Sequence, residues 1–336
     1  MSFKRLEADD FVVSSDSITS TLWSTDVQTL TTFFTSSVQK AGSSGDFYLS
    51  IFDADTLINT QFDIALADIN GGGSTYYNAS VVGKSPTLST YGQYRALILE
   101  DETKSFNFGE GANIHTATNF WALSVERARY KESLFPGSLN LHLSGSNGRL
   151  IHLTDNSKDV TINTFIGSTK VYQLISGSNG TSGNVANSGY VDASGSYGLV
   201  FPELGTILLN PQAISQSIGV EAITTANSTN GVSNASLYDS IKLGQFFQLN
   251  SQETITSDYI FTRARNSEFN YTQNPTFISG STGEVIYDNF INNPQTYITT
   301  IGMYNDTNEL LAVAKLSRPL IKDFTKEALV RVKLDF

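Results

Sequence analysis

Few residues in this sequence could do chemistry. There are three histidines, His115, His142 and His152, and no cysteine. His142 and His152 fall on the two arms of one expected hairpin, Leu139 to Leu143 and Arg149 to Leu153, joined by Ser144-Gly145-Ser146-Asn147-Gly148. Facing each other there, they could begin a metal site, with Asp155 the one further ligand nearby. A cross-strand structural pair accounts for them more simply, and no metal is expected. The lack of cysteine removes disulfide frameworks, thiolate catalysis and every Cys-containing zinc site.

Carboxylates supply no clearer motif. Asp53 and Asp55 alternate, with Asp63 and Asp68 downstream. A calcium loop also needs a Gly at its sharp turn and a bidentate Glu to close it, so these four are read as solvent-facing. Glu100-Asp101-Glu102 is a charged turn after a strand. Gly109-Glu110-Gly111-Ala112-Asn113 lacks the third Gly of a dinucleotide fingerprint. The sequence has no phosphate-binding loop, nucleophile elbow or His-Glu-x-x-His. Trp23, Trp121, Phe33 and Phe34 could stack on sugars or bases, but core packing is the common use of such rings. The expectation is a non-enzymatic protein with no catalytic residue and no cofactor.

Composition narrows the partners. Charged residues make up 16% of the 336, against roughly 25% in soluble domains. Ser, Thr, Asn and Gly take their place, which suits a part packed among other subunits, because burying Thr or Asn costs less than burying an unpaired Lys or Glu. A net charge of -11 argues against nucleic acid as a primary partner. Arg127, Arg129 and Lys131 are interrupted by Glu126 and Glu132 and read as a solvated or ion-paired face. No apolar run approaches the roughly 20 residues of a membrane span, and the start of the sequence has no signal-peptide pattern.

The elements are mainly strands. Thr29 to Phe34, Tyr48 to Phe52, Gln61 to Ala67 and Tyr94 to Leu99 are strand-like, with the breaker Asn70-Gly71-Gly72-Gly73-Ser74 among them. Phe120 to Arg127 reads as a strand leading into a short helical turn that Pro136-Gly137 stops. A second hairpin joins Val160 to Ile166 and Lys170 to Ile175. Asn210-Pro211 opens a helix, with Asn210 as its cap. Ser176 to Gly198 is a Gly/Ser/Asn excursion suited to reaching an adjacent subunit. Two β-rich runs flank the turn at Asn305 to Asn308, and Val330, Val332, Leu334 and Phe336 alternate with Leu329, Arg331, Lys333 and Asp335 as in a half-buried strand.

This terminal stretch, from Tyr297-Ile298-Thr299-Thr300-Ile301-Gly302 through Ala328 to Phe336, carries a resemblance. So do Ala128 to Gly137, Arg263-Ala264-Arg265-Asn266-Ser267-Glu268-Phe269-Asn270-Tyr271 and the opening Ser2 to Ser17. Together they resemble virion structural proteins of contractile-tailed bacteriophages related to the T-even group, including those of cyanobacteria. The resemblance implies a building block of the tail, baseplate or neck, baseplate first, located in the virion and assembled in the host cytoplasm. It implies partners among other virion structural proteins, by self-association or in a hetero-oligomer, with possible host-surface contact. The rival reading is a receptor- or carbohydrate-binding adaptor associated with the tail fibres.

The expected fold is mainly β or β-rich α+β, with antiparallel, sandwich-like sheets, a few short helices and long polar loops. Three regions are expected: a β-rich domain over 1–222, a polar linker over 223–237, and a C-terminal β-rich domain over 238–336 with an extended arm at 263–277. Interface contacts are expected from Arg263, Arg265, Glu268, Phe269, Asn270, Tyr271 and Phe277 of that arm, and from Tyr190 in the Gly/Ser excursion.

Overall fold

The computed structural model describes residues 8–21, 30, 33–40, 46–54, 59–74, 85–160, 164–183, 194–224, 232–271 and 274–335. In chain order its strands are β1 Phe11–Thr21, β2 Phe33–Lys40, β3 Asp46–Asp53, β4 Thr60–Asp68, β5 Phe106–Phe108, β6 His115–Ala117 and β7 Asn119–Val125. They continue as β8 Ser133–Leu134, β9 Asn140–Ser144, β10 Leu150–Asp155, β11 Thr164–Ile166, β12 Thr169–Ser178, β13 Thr181–Ser182, β14 Gly198–Phe201 and β15 Thr206–Leu209. The last are β16 Phe247–Gln248, β17 Ser251–Ala264, β18 Thr296–Tyr304, β19 Leu310–Lys322 and β20 Ala328–Asp335. Four α-helices accompany them, α1 Pro86–Tyr94, α2 Pro211–Ile218, α3 Ser233–Gly244 and α4 Asp288–Asn292. With 46% strand and 17% helix, the fold is mainly β and antiparallel, as expected.

The chain forms two compact units, residues 20–253 and residues 1–19 with 254–336. The division runs through β17, whereas the sequence reading places it at 223–237. Of that polar stretch, 225–231 lie outside the described residues, and Ser233 already opens α3. The wholly buried Leu237 and Ile241 hold α3 in the core of residues 20–253. Polar composition at a helix start therefore looked like a linker.

In residues 20–253 one long sheet runs in the order β16-β9-β10-β12-β14-β15-β7-β4-β3-β2 and curls into a half-barrel. Side chains alternate between two cores, one on each face. Phe62, Ile64, Leu66, Trp121, Leu123, Ile207 and Leu209 face the first, which α2 and α3 close with Ile214, Ile218, Leu237 and Ile241. Ala67, Phe120, Ala122, Leu199, Phe201 and Leu208 face the second, against Tyr91 and Ile98 and the β5–β6 hairpin. Strands covered on both faces cannot alternate apolar with polar, which is why β14, β15 and β7 read as near-continuous apolar runs. Each large side chain buried this way is worth about 1.5–3 kcal/mol.

Tyr94 to Leu99 corrects a strand expectation. It forms the end of α1 and a following π-helical turn, Arg95–Leu99. Tyr91 and Ile98 lie on one helical face and are wholly buried, and Tyr91 packs on Phe120 and Phe106 at ring distances of 5.3 and 5.8 Å. That packing outweighs the local β preference of Ile98 and Leu99. Over the described residues the two hairpins and the Phe120 strand form where the sequence places them. The 3-10 turn after that strand, Arg127–Arg129, ends at the extended Tyr130, and β8 rather than a helical turn precedes Pro136-Gly137.

Asn210 caps α2 as its position suggests. Its Oδ1 accepts from the Gln212 N–H at 3.1 Å, and its Nδ2 donates to the Ser194 and Ser196 carbonyls at 2.6 and 2.7 Å. At the other end Gly219 adopts φ +74°, the left-handed conformation that ends a helix. Asn210→Ala removes the cap and strands two carbonyls, so a loss of about 2–4 kcal/mol is expected in urea unfolding. A midpoint equal to the wild type's would show that the cap is dispensable.

Candidate assembly surface

Residues 1–19 with 254–336 contrast sharply with the two-core unit. Both hydrophobic clusters lie within residues 30–249. Among the described residues of the smaller unit, the buried apolar side chains are only Ala264, Ala328 and Val332. Many of its large apolar side chains are exposed instead, Val12 59%, Tyr297 59%, Leu311 67%, Val313 58% and Leu329 70%, while others such as Ile260, Phe261 and Val330 are half-buried.

The described residues of this unit form two sheets. β17 lies between β1 and β20, and β18 pairs with β19 in a ribbon. β17 and β20 pair antiparallel through eight consecutive residues, from Ser257↔Asp335 to Ala264↔Ala328. Side-chain contacts fix β1 on the other side: Asp10 with Arg263, Ser15 with Asp258 and Thr19 with Thr254. These three pairs share one antiparallel register. β20 alternates as its sequence suggests, with Val332 buried and Val330 and Leu334 half-buried, while Phe336 lies outside the described residues.

Polar contacts supply the order that a core would otherwise provide. The Asp10 carboxylate, 1% exposed, takes the Arg263 guanidinium at 2.8 Å and Arg265 Nε at 2.8 Å. Burial works against its charge, yet the two guanidiniums hold its pKa below the usual carboxylate value. Lys322 is wholly buried, and its Nζ donates to Asn266 O, Asn270 Oδ1 and Asp323 O at 2.9, 2.9 and 3.0 Å. Desolvation pushes the Lys322 pKa down, with Asp323, Glu268 and Glu327 pulling the other way.

The expected interface residues sit around these two knots. Arg263 and Arg265 hold Asp10. Glu268 and Asn270 turn inward, 9% and 4% exposed, and Glu268 accepts from the Arg265 backbone N–H. Phe269 and Tyr271 turn outward, 45% and 49% exposed, with Phe269 at φ +56°. Phe277 is half-buried against Phe290, ring centroids 4.9 Å apart. The usual placement is inverted here, with polar side chains inside and rings outside. Tyr190 lies outside the described residues. Sequence reasoning missed Asp10 and Lys322, whose partners lie 253 and 56 positions away.

The other candidates separate into individual structural roles. His142 and His152 stand opposite each other, rings stacked at 3.8 Å and 8°. Ring-nitrogen lone pairs lie in the ring plane, so stacked rings do not converge on one ion. Asp155 accepts from the Gly137 and Ser157 backbone N–H groups. The solvent-facing reading of the acidic set fails for its three described members. Asp53 is buried, with Arg129 3.8 Å away; Asp68 is buried and orders the glycine turn through the Asn70 and Gly72 N–H groups. Asp63 is half-buried, and desolvation raises its pKa. Asp55 lies outside the described residues. A groove of about 520 Å³ in residues 20–253 is lined by Ser144, Ser146, Glu221, Ser236, Asp239 and Ser240, among others. No protein-family model, curated protein sequence or solved structure matches the chain.

Lys322→Ala should free the Asn266 to Asn270 turn. Amide exchange in β19 and β20 is expected to quicken at least about tenfold, with residues 20–253 unaffected. Uniform exchange across both units would contradict the knot's local role. A pH effect is expected at the histidine stack, where burial, and then the neighbouring His152, lower the His142 pKa. The unfolded chain then takes up that proton first, so this contribution to stability is complete above about pH 6.5 and declines as pH falls below it. Thermal melts between about pH 8 and 5 should show His142→Phe flattening the decline, and parallel profiles would exclude the stack as its source.

Proposed function

We propose that this protein is a non-enzymatic structural subunit that acts by assembly, with the unit of residues 1–19 and 254–336 as its principal contact surface. The observation that carries this reading is the near-absence of a core there. A unit of this size, with three small or medium apolar side chains buried and many large ones exposed, gains its missing burial from a neighbouring chain. The β18–β19 ribbon illustrates the need, since an isolated two-stranded ribbon is marginal in water. Ile298, Ile301, Met303, Ala312, Ala314, Leu316 and Leu320 along it remain half-exposed.

The resemblance to virion structural proteins of contractile-tailed phages agrees with such a part, and a baseplate component is the specific reading proposed. The rival, a carbohydrate-binding adaptor, has one observation in its favour. The 520 Å³ groove combines hydroxyls and the carboxylates of Glu221 and Asp239, groups that hydrogen-bond sugars, with the apolar Val220, Val232 and Leu243. Residues 225–231, between its lining residues Thr224 and Val232, lie outside the described residues.

One experiment separates the two. Light scattering of the purified protein over a hundredfold range of concentration should show association, weakened in Leu311→Lys/Val313→Lys while circular dichroism and melting stay as in the wild type. A monomer at every concentration that binds glycans on an array, with binding lost in Asp239→Ala, would replace assembly with recognition.

A further inference from the structure

We infer that copies of this chain join through the open edges of the sheet β1-β17-β20, the β20 edge of one copy lying against the β1 edge of the next. This inference rests on the assembly reading and names the partner as a second copy.

Among the described residues the smaller unit has four open strand edges: β1, β20 and both sides of the ribbon. An unpaired edge is a template for another strand, and proteins that avoid such pairing blunt their edges with proline, charge or bulges. The ribbon is blunted. Its register shifts between Ile298 and Thr300 and between Met303 and Tyr304, and β19 contains Pro319. By contrast, β1 has no proline and no basic residue, and Phe11, Val12, Val13 and Ile18 along it are all about half-exposed. β20 pairs with β17 without a register shift and has no proline. β1 is thus unprotected, and β20 is guarded only by its charges, Arg331 and Lys333, which a partner edge of opposite charge would satisfy.

Charge selects how they combine. β1 carries one charged residue, Asp16, with Asp9 exposed just before it. β20 exposes Arg331 and Lys333, and its own Asp335 is already held by Ser257 and Lys333. Two β20 edges would bring Arg and Lys against Arg and Lys, whereas β20 against β1 sets opposite charges side by side.

The faces agree as well. β1 and β20 both run antiparallel to β17 and so parallel to each other, the direction a head-to-tail arrangement would continue. With Phe11 to Ile18 laid along Ala328 to Asp335, Asp16 stands opposite Lys333 and diagonal to Arg331 and to Asp335, the latter already held by Ser257 and Lys333. The same alignment puts Phe11 and Val13 beside Ala328 and Val330, and Val12 beside the 70% exposed Leu329. Within one copy, the β17 register places Asp16 on the same face as Arg331 and Lys333, and Phe11 and Val13 on that of Val330 and Val332. The sheet therefore continues from copy to copy without exchanging its faces. A contact between two different edges closes into a ring or runs on as a filament.

The test uses the full chain in sedimentation velocity. Asp16→Lys and Arg331→Glu should each weaken association at least tenfold with unchanged circular dichroism, and Asp16→Lys/Arg331→Glu should recover to within about threefold of the wild type. Since the chain has no cysteine, Val13→Cys/Val330→Cys adds a check independent of charge. Two strand spacings, about 10 Å, separate the introduced thiols within one copy, too far for a disulfide. Oxidation should give a ladder of trimers and higher species on a non-reducing gel. Association unchanged by the charge variants, no rescue in the double variant, or a species that stops at a dimer would overturn the edge pairing and leave the assembly reading standing. A wild type that neither self-associates nor joins other proteins would end both.

Discussion

A β-sheet satisfies the backbone of its inner strands but neither its edges nor its faces, and the rest of this molecule follows from how that requirement is met in each unit. In residues 20–253 the long sheet is covered on both sides, by α2 and α3 on one and by α1 and the β5–β6 hairpin on the other. Trp121, Phe120 and Phe201 are wholly buried there. In the sheet β1-β17-β20 nothing comparable covers either face among the described residues. Its order comes from charge and hydrogen bonds.

That substitution changes what holds the smaller unit together. A buried Lys with three acceptors, or a buried Asp between two guanidiniums, adds little net stability once desolvation is counted, but tolerates no other arrangement of its partners. Asp10 pins the start of β1 to the end of β17, and Lys322 pins the end of β19 beneath the turn that follows β17. The backbone is thereby held in one shape while the apolar side chains stay exposed. Specificity and stability have been separated within one unit.

Much of the larger unit was legible in the sequence because its signals are local. The Asn210 cap, the Ser144 to Gly148 turn and the alternation around Trp121 each span only a few residues. Tyr94 to Leu99 was misread because burial against Phe106 and Phe120, invisible locally, decided its conformation. In the smaller unit strand periods were legible and the knots were not. Asp10 directly follows the exposed Asp9, and Lys322 ends a strand as a charged residue after the exposed Ile321, so neither residue type signals burial. In segment 263–277, composition alone does not tell that Glu268 and Asn270 turn inward while Phe269 and Tyr271 turn outward.

The connectivity of the smaller unit has a kinetic consequence. The Ser15 to Asp258 contact closes a loop of 243 residues, and the Asp10 knot one of 253. β1 leaves the ribosome before β17 and has no partner until β17 follows, after the whole of residues 20–253. Until then its apolar edge is free, at the stage of synthesis when nascent chains are most exposed to aggregation. Closing a coil of that length carries an entropy cost that an already folded segment, with its two ends near each other, does not carry again. Folding of residues 20–253 before β1 and β17 pair would therefore lower the cost of joining these two strands.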